Sequence, residues 1–143
     1  MPVTFRIDKT QKVIHTKCIG EVTFKEVLDH FEALERDPEC RDSLSVLLDA
    51  TEMTSIPESG HFRTTSHELG RIRDRVRFDA CAIVVSTDVF LGMAHVFKAY
   101  TSEHFRITRV FRTLDEAEAW LVSQQSPPPN TTRKRTSRKA TRR

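Results

Sequence analysis

The chain has 143 residues, of which 38% are hydrophobic and 30% are charged, and its formal net charge at pH 7 is +3. This length fits one domain with a short appendage, and no apolar run approaches the roughly 18 to 20 residues that span a bilayer. The N-terminus lacks an apolar signal core. We therefore expect a cytoplasmic protein, and the basic tail described below leaves a position at a membrane surface or on the nucleoid open.

The first third of the chain predicts a hairpin, a helix and a buried strand. Apolar and polar residues alternate over residues 3–7, and an apolar strand follows over residues 13–19, so the two form an antiparallel hairpin. Apolar residues at helical spacing follow Thr23, and Pro38 closes this helical region. Residues 44–48 form a short apolar run, which predicts a buried strand.

The middle of the chain predicts an exposed helix over about residues 57–76. Its apolar seam is thin, the rest of its surface is crowded by Arg63, Arg71, Arg73, Arg75 and the adjacent Arg77, and Gly60 and Gly70 weaken the helix further. Weakly packed elements open at low cost, so this helix is a candidate lid.

The last third predicts two strands and two helices. Residues 80–85 are almost continuously apolar, as in a central parallel strand that is covered on both faces. A helix over residues 88–104 carries a wide apolar surface, residues 107–111 form an edge strand with interleaved arginines, and a last helix begins at Thr113.

Capping boxes recur between these elements. A Ser or Thr is followed three residues later by Glu at Thr23–Glu26, Ser55–Glu58 and Thr113–Glu116. Strands that alternate with capped helices are typical of an α/β domain with a mostly parallel sheet. We expect five strands, with an antiparallel N-terminal hairpin, and four helices in residues 1–124, followed by a disordered Pro-rich linker and basic tail in residues 125–143.

Taken in order, these segments resemble the SpoIIAA-like family, which is related to STAS domains. The residues that carry the resemblance are 3–7, Gly20-Glu21-Val22-Thr23, 46–50, 82–88 with Gly92-Met93-Ala94, and 110–113 with 117–121. The resemblance implies a β-α superhelix of the general fold that CRAL-TRIO lipid-transfer domains share. It also implies a non-catalytic role, in regulation or in binding amphiphilic ligands or membrane surfaces.

The resemblance also points to Ser59. In anti-sigma antagonists of the STAS class, a phosphorylated Ser lies in an Asp-Ser-Ser-Gly step at the start of the second helix. The matching residues here are Pro57-Glu58-Ser59-Gly60, so Ser59 and Gly60 fit and the two preceding residues do not.

Sequence motifs for catalysis are lacking. None of the six histidines stands in HExxH or His-x3-His spacing, there is no GxSxG, and the four glycines form no phosphate-binding loop. The cysteines Cys18, Cys40 and Cys81 are odd in number and widely spaced, which argues against a disulfide framework or a zinc site. We therefore expect no enzyme activity, no cofactor and no metal.

Ligands in open α/β sheets bind beyond the carboxyl ends of the strands. These ends carry Asp49 and Thr51 in one case, and Ser86, Thr87 and Asp88 in the other. Phe90 stands three residues after Thr87 where a capping box would have Glu, so the amides of that helix either meet an anion or are capped by Thr87 or Asp88.

The apolar surface of the same helix has three interpretations. Phe90, Met93, Phe97 and Tyr100 form ordinary core, line an apolar pocket, or make a surface for a homodimer.

The C-terminal tail is strongly basic. It carries seven basic residues and no acidic ones, which leaves 16 basic against 20 acidic residues in the rest of the chain. The basic residues are Arg133, Lys134, Arg135, Arg138, Lys139, Arg142 and Arg143. Such a tail either binds nucleic acid or anionic lipid without sequence preference or only aids solubility.

These observations predict a non-catalytic regulatory module that binds a small ligand, a lipid or a protein partner. The first alternative is a nucleic-acid-associated protein that is tethered by its tail, and the second is a phospho-switch at Ser59.

Overall fold

The computed structural model describes residues 2–40, 43–56, 59–73 and 75–125. In chain order the strands are β1 (Val3–Asp8), β2 (Val13–Gly20), β3 (Leu44–Met53), β4 (Phe78–Val84) and β5 (Ile107–Phe111). The helices are α1 (Phe24–Arg36), α2 (Ser59–Arg71), α3 (Asp88–Thr101), which a short 3₁₀ turn (Ser102–His104) extends, and α4 (Leu114–Gln124). The basic tail lies outside the described residues.

The strands form one sheet in the order β1-β2-β3-β4-β5. β1 pairs with β2 antiparallel, and the other three pairings are parallel. The predicted five-stranded α/β fold with an N-terminal hairpin and four helices is therefore confirmed. The run of residues 80–85, predicted as a central strand, belongs mostly to β4, which is the fourth of the five, and β3 is the middle strand. β5 lies at the edge of the sheet, as predicted.

Two layers of helices sandwich the sheet. Successive side chains of β4 point to opposite faces of the sheet. Cys81 and Ile83 pack with Ala94 of α3, whereas Ala80 and Ala82 pack with residues of α4. α1 and α2 cover the same face as α3, because their apolar residues pack with Ile14, and Val46 contacts both this cluster and that of α3. Of the helices in the described residues, three therefore lie on one face of the sheet and α4 alone on the other.

Two of the predicted caps are present. At α1 the box is complete, with Glu26 N–H donating to Thr23 Oγ1 at 3.2 Å and Thr23 N–H donating to Glu26 Oε1 at 2.8 Å. At α4 Thr113 Oγ1 accepts from Glu116 N–H at 3.2 Å, but its own hydroxyl, rather than its backbone N–H, donates to the Glu116 carboxylate.

The third predicted box includes Pro57 and Glu58, which lie outside the described residues. The Ser55 hydroxyl accepts from Val22 N–H at 2.9 Å and donates to Val22 O at 3.3 Å. Ser55 therefore joins the loop after β3 to the loop after β2.

The predicted helix over residues 57–76 is wrong at its C-terminal end. α2 ends at Arg71, and the chain then tightens into a turn in which Arg75 N–H and Val76 N–H both donate to Ile72 O. Ile72 and Val76 are both buried in the core, at the i, i+4 spacing that a continued helix would also give. The longest helix in the described ranges has 14 residues, and no helix there has the length and apolarity of a bilayer span.

Candidate ligand-binding site

A cavity of about 360 Å³ lies between the sheet and the layer of α1, α2 and α3. Its floor is formed by side chains that leave the same face of β2, β3 and β4, and its roof is formed by the three helices. The floor residues include Ile14, Thr16, Cys18, Val46, Leu48 and Ile83. The roof residues include Phe31 and Leu34 of α1, Phe62 and Leu69 of α2, and Ala94 and Phe97 of α3.

The rim of the cavity lies at the carboxyl ends of β2 and β3. Exposed Glu21, Thr23 and Ile56 line it, and 58% of the Ile56 surface is accessible. Phe24 of α1 stacks on His61 of α2 with 4.3 Å between ring centroids and 13° between the ring planes. Because both rings also line the cavity, their stacking joins α1 to α2 beside the rim.

Two polar side chains face each other inside this apolar cavity. Thr16 of β2 and His30 of α1 both line it, and Thr16 Oγ1 lies 3.4 Å from His30 Nε2. The ring of His30 also packs edge-on against Phe5, with 5.4 Å between centroids. Burial lowers the pKa of His30 to about 4, so the imidazole is neutral at physiological pH.

The two cysteines of the cavity wall are chemically quiet. Burial raises the pKa of Cys18 to about 11 and that of Cys81 to about 12. A thiol attacks as the thiolate. Cys18 and Cys81 therefore behave as small apolar wall groups at neutral pH, as expected for buried strand cysteines.

Polar contacts fasten α2 at its C-terminal end. Arg71 Nη1 donates to Glu35 Oε1 of α1 at 3.1 Å. On the other side, Ser66 Oγ lies 2.9 Å from His104 Nε2, and Arg73 Nη2 lies 3.1 Å from His104 Nδ1. Nearer the rim, α2 is held by aromatic contacts, among them the edge-on packing of Phe62 against Phe97.

The predicted apolar site residues line the cavity. Phe90, Met93 and Phe97 are among its wall residues, and Tyr100 contacts Phe62 above them. This placement matches the pocket interpretation of the α3 surface. Because Phe90, Met93 and Phe97 face the cavity, they are less suited to a dimer surface.

The predicted polar site residues form a separate hydrogen-bonded edge outside the cavity. Asp49 Oδ1 accepts from the amide and the hydroxyl of Thr51 at 3.0 and 2.6 Å, and Ser86 Oγ donates to Thr51 O at 3.0 Å. Leu48 and Ala50 of β3 line the cavity, so the intervening Asp49 points to the opposite face of the sheet.

The N-terminus of α3 is capped from within the chain. Thr87 Oγ1 accepts from Phe90 N–H at 3.2 Å. Arg112 donates to Asp88 Oδ1 at 2.9 Å and to Ser86 O at 3.1 Å. Of the two alternatives for this helix end, the geometry matches capping by Thr87.

Sequence reasoning missed the pair Thr16 and His30, although a signal for it exists. His30 stands in register with Val27, Phe31 and Leu34 on the apolar stripe of α1. A histidine on such a stripe must enter the core or a cavity. Thr16 shares the strand face of Ile14 and Cys18, which line the cavity, whereas Val13 on the opposite face packs with residues of α4.

Ser59 is the first residue of α2, which is the position that the resemblance assigns to the phosphorylated Ser. Among the described residues, no three His, Cys, Asp or Glu side chains are grouped so as to hold a metal ion.

Comparisons with known proteins agree with this architecture. The family model described as SpoIIAA-like matches residues 13–122. A similar solved structure is the crystal structure of an uncharacterised DUF3478-family protein with a SpoIIAA-like fold from Shewanella loihica PV-4. It has 18% sequence identity and a TM-score of 0.55, over 83% of this chain and 93% of that chain. No curated protein matches the sequence closely enough to count as a relative.

Proposed function

The chain belongs to the SpoIIAA-like family, and from this premise and the cavity we propose that it is a non-catalytic regulatory module that binds one small apolar or amphiphilic molecule. The observation that carries the proposal is the apolar cavity of about 360 Å³ between the sheet and three helices. Ligand pockets of proteins commonly measure about 300 to 1,000 Å³ and are mostly apolar.

The size of the cavity supports a ligand rather than a packing defect. An engineered cavity of about 150 Å³ is enough to bind benzene.

Helix α2 provides a route into the cavity in this proposal. Its C-terminal end is fastened through Arg71 and Ser66, whereas its rim end is held by the contacts of His61 and Phe62 with other rings. We infer that the rim end swings away while the C-terminal end acts as the hinge. A ligand enters past Ile56, where the rim is exposed.

A fluorescence titration tests the proposal. N-phenyl-1-naphthylamine is uncharged and brightens in apolar surroundings, so the wild-type chain should enhance its emission with saturation. Ala94→Phe places a ring in the cavity and should abolish this enhancement. Ala99→Phe makes the same substitution at an exposed position of the same helix and should leave the enhancement intact. No saturable enhancement with the wild type, or equal binding by both variants, would contradict the proposal.

A second candidate function rests on the charge division of the sequence. The seven basic tail residues stand against an excess of acidic residues in the rest of the chain. We propose that this tail adds binding to nucleic acid or an anionic surface, and that it does so independently of the cavity.

A further inference from the structure

We infer that the ligand of the cavity is uncharged and carries one hydrogen-bonding oxygen, as in an aliphatic alcohol, and that the pair Thr16 and His30 recognises this oxygen. The inference rests on the proposed function, because it names the class of molecule that the cavity takes. Two observations support it: the described part of the wall has no Lys or Arg, and the geometry of Thr16 and His30 leaves hydrogen-bonding capacity for a ligand.

The described part of the wall offers no permanent positive charge to a carboxylate or phosphate. Among the described residues that line the cavity there is no Lys and no Arg, and Glu21 at the rim is the one acid. The neutral imidazole of His30 supplies no positive charge. A charged head group taken into this cavity would lose its water without gaining a counter-charge, which is strongly unfavourable.

The rim also disfavours an anion. The N-terminus of α1 would attract a negative group, but the Glu26 carboxylate already occupies it and accepts from the backbone N–H and the hydroxyl of Thr23 at 2.8 and 2.9 Å. With Glu21 nearby in sequence and exposed at the same rim, an incoming carboxylate meets acidic side chains.

The pair Thr16 and His30 has spare hydrogen-bonding capacity. Their separation of 3.4 Å is longer than a strong hydrogen bond. Among the described residues, this contact is the one hydrogen bond that either side chain makes. A ligand hydroxyl can donate to one of these groups and accept from the other, so it would replace a long contact by two shorter ones.

The test uses three probes with eight-carbon chains in competition with N-phenyl-1-naphthylamine at pH 7.5. Octan-1-ol and 1-chlorooctane have the same number of heavy atoms, and octanoate carries the charge. We expect octan-1-ol to bind at least tenfold more tightly than octanoate. Thr16→Val, which keeps the side-chain shape, should weaken octan-1-ol at least fivefold and change 1-chlorooctane by less than twofold. Thr4→Val, at an exposed position of strand β1, is the matched control and should change neither.

The outcomes separate the two proposals. If the wild-type chain gives no saturable enhancement of the fluorescent probe, the cavity is not a ligand site and the proposed function falls. If octanoate binds as well as octan-1-ol, ligand binding stands and the inference of an uncharged ligand is overturned. If Thr16→Val leaves octan-1-ol binding unchanged, the polar pair is not the recognition point.

Discussion

The hydroxyl of Ser66 lies 2.9 Å from Nε2 of His104, and this contact fastens α2 to the turn that follows α3. Arg73 approaches the other ring nitrogen at 3.1 Å. Since a guanidinium can only donate, Nδ1 accepts, and the ring proton lies on Nε2 and is donated to Ser66. Burial lowers the pKa of His104, and Arg73 lowers it further while Glu103 opposes the shift. The contact with Arg73 therefore depends on a neutral imidazole, whereas Nε2 can donate to Ser66 in either protonation state.

The first prediction concerns Gly70, which gives the ring of His104 room. A Cβ at this position would lie 3.2 Å from His104 Cε1. Ala is favoured over Gly in a helix by about 1 kcal/mol. Gly70→Ala should deliver that gain in a His104→Ala background and clearly less in the wild type, where the ring is held by Ser66 and Arg73. Urea unfolding of the four proteins measures the coupling, and an equal gain in both backgrounds would contradict it.

The second prediction concerns pH and His30. Its pKa is about 4 in the folded chain and near 6.5 in the unfolded chain. Between these values the unfolded chain binds a proton that the folded chain does not, so stability falls as pH falls from 6.5 to 4. The loss reaches about 1.4 kcal/mol per pH unit, or about 3 kcal/mol in total.

Chemical denaturation of wild type and His30→Phe at several pH values measures this effect. The variant should lose less stability on acidification. A residual slope is expected, because burial also lowers the pKa values of His15 and His104. Parallel pH profiles for the two proteins would show that His30 does not take part.

The sequence predicts the layout of this fold well because its signals are local. The alternation in residues 3–7, the complete box of Thr23 with Glu26 and the apolar run of residues 80–85 each depend on near neighbours in the chain. The C-terminal end of α2 was not predictable from the sequence. Ile72 and Val76 keep helical spacing although they lie in a turn, and both are buried there by contacts with distant parts of the core.

The candidate site was only half predictable for a related reason. The apolar residues Phe90 and Met93 could be named from the pattern of α3. The cavity itself arises from how far three helices stand from the sheet, and no local pattern encodes that distance. Asp49 ends an apolar run as expected, but strand alternation turns it away from the cavity.

The third prediction concerns Ser59. A phosphate there would stand at the N-terminus of α2, where the helix dipole favours negative charge. If the alternative of a phospho-switch holds, peptide mass analysis of the protein from its own cells finds phosphate at Ser59 in at least one growth state and none after Ser59→Ala. Unmodified Ser59 under every growth condition would remove the phospho-switch.

The fourth prediction concerns the basic tail. Seven basic residues that each neutralise one phosphate would give a slope of roughly −6 in a plot of log affinity against log salt on duplex DNA. Duplexes of different sequence should bind alike, because such a tail contacts phosphates and not base edges in register. Titrations of the full chain and of residues 1–126 measure the effect. Equal affinity of the two chains, or a complex that is insensitive to salt, would exclude the tail as the binding element.

The central claim is that the cavity is filled in use, and native mass spectrometry of the protein purified from its own cells tests it most directly. We predict a wild-type mass that exceeds the polypeptide mass by the mass of one small uncharged molecule. The same adduct should appear with Ala99→Phe and be lost with Ala94→Phe. A bare polypeptide mass for the wild type, or an adduct that both variants keep, would contradict the claim.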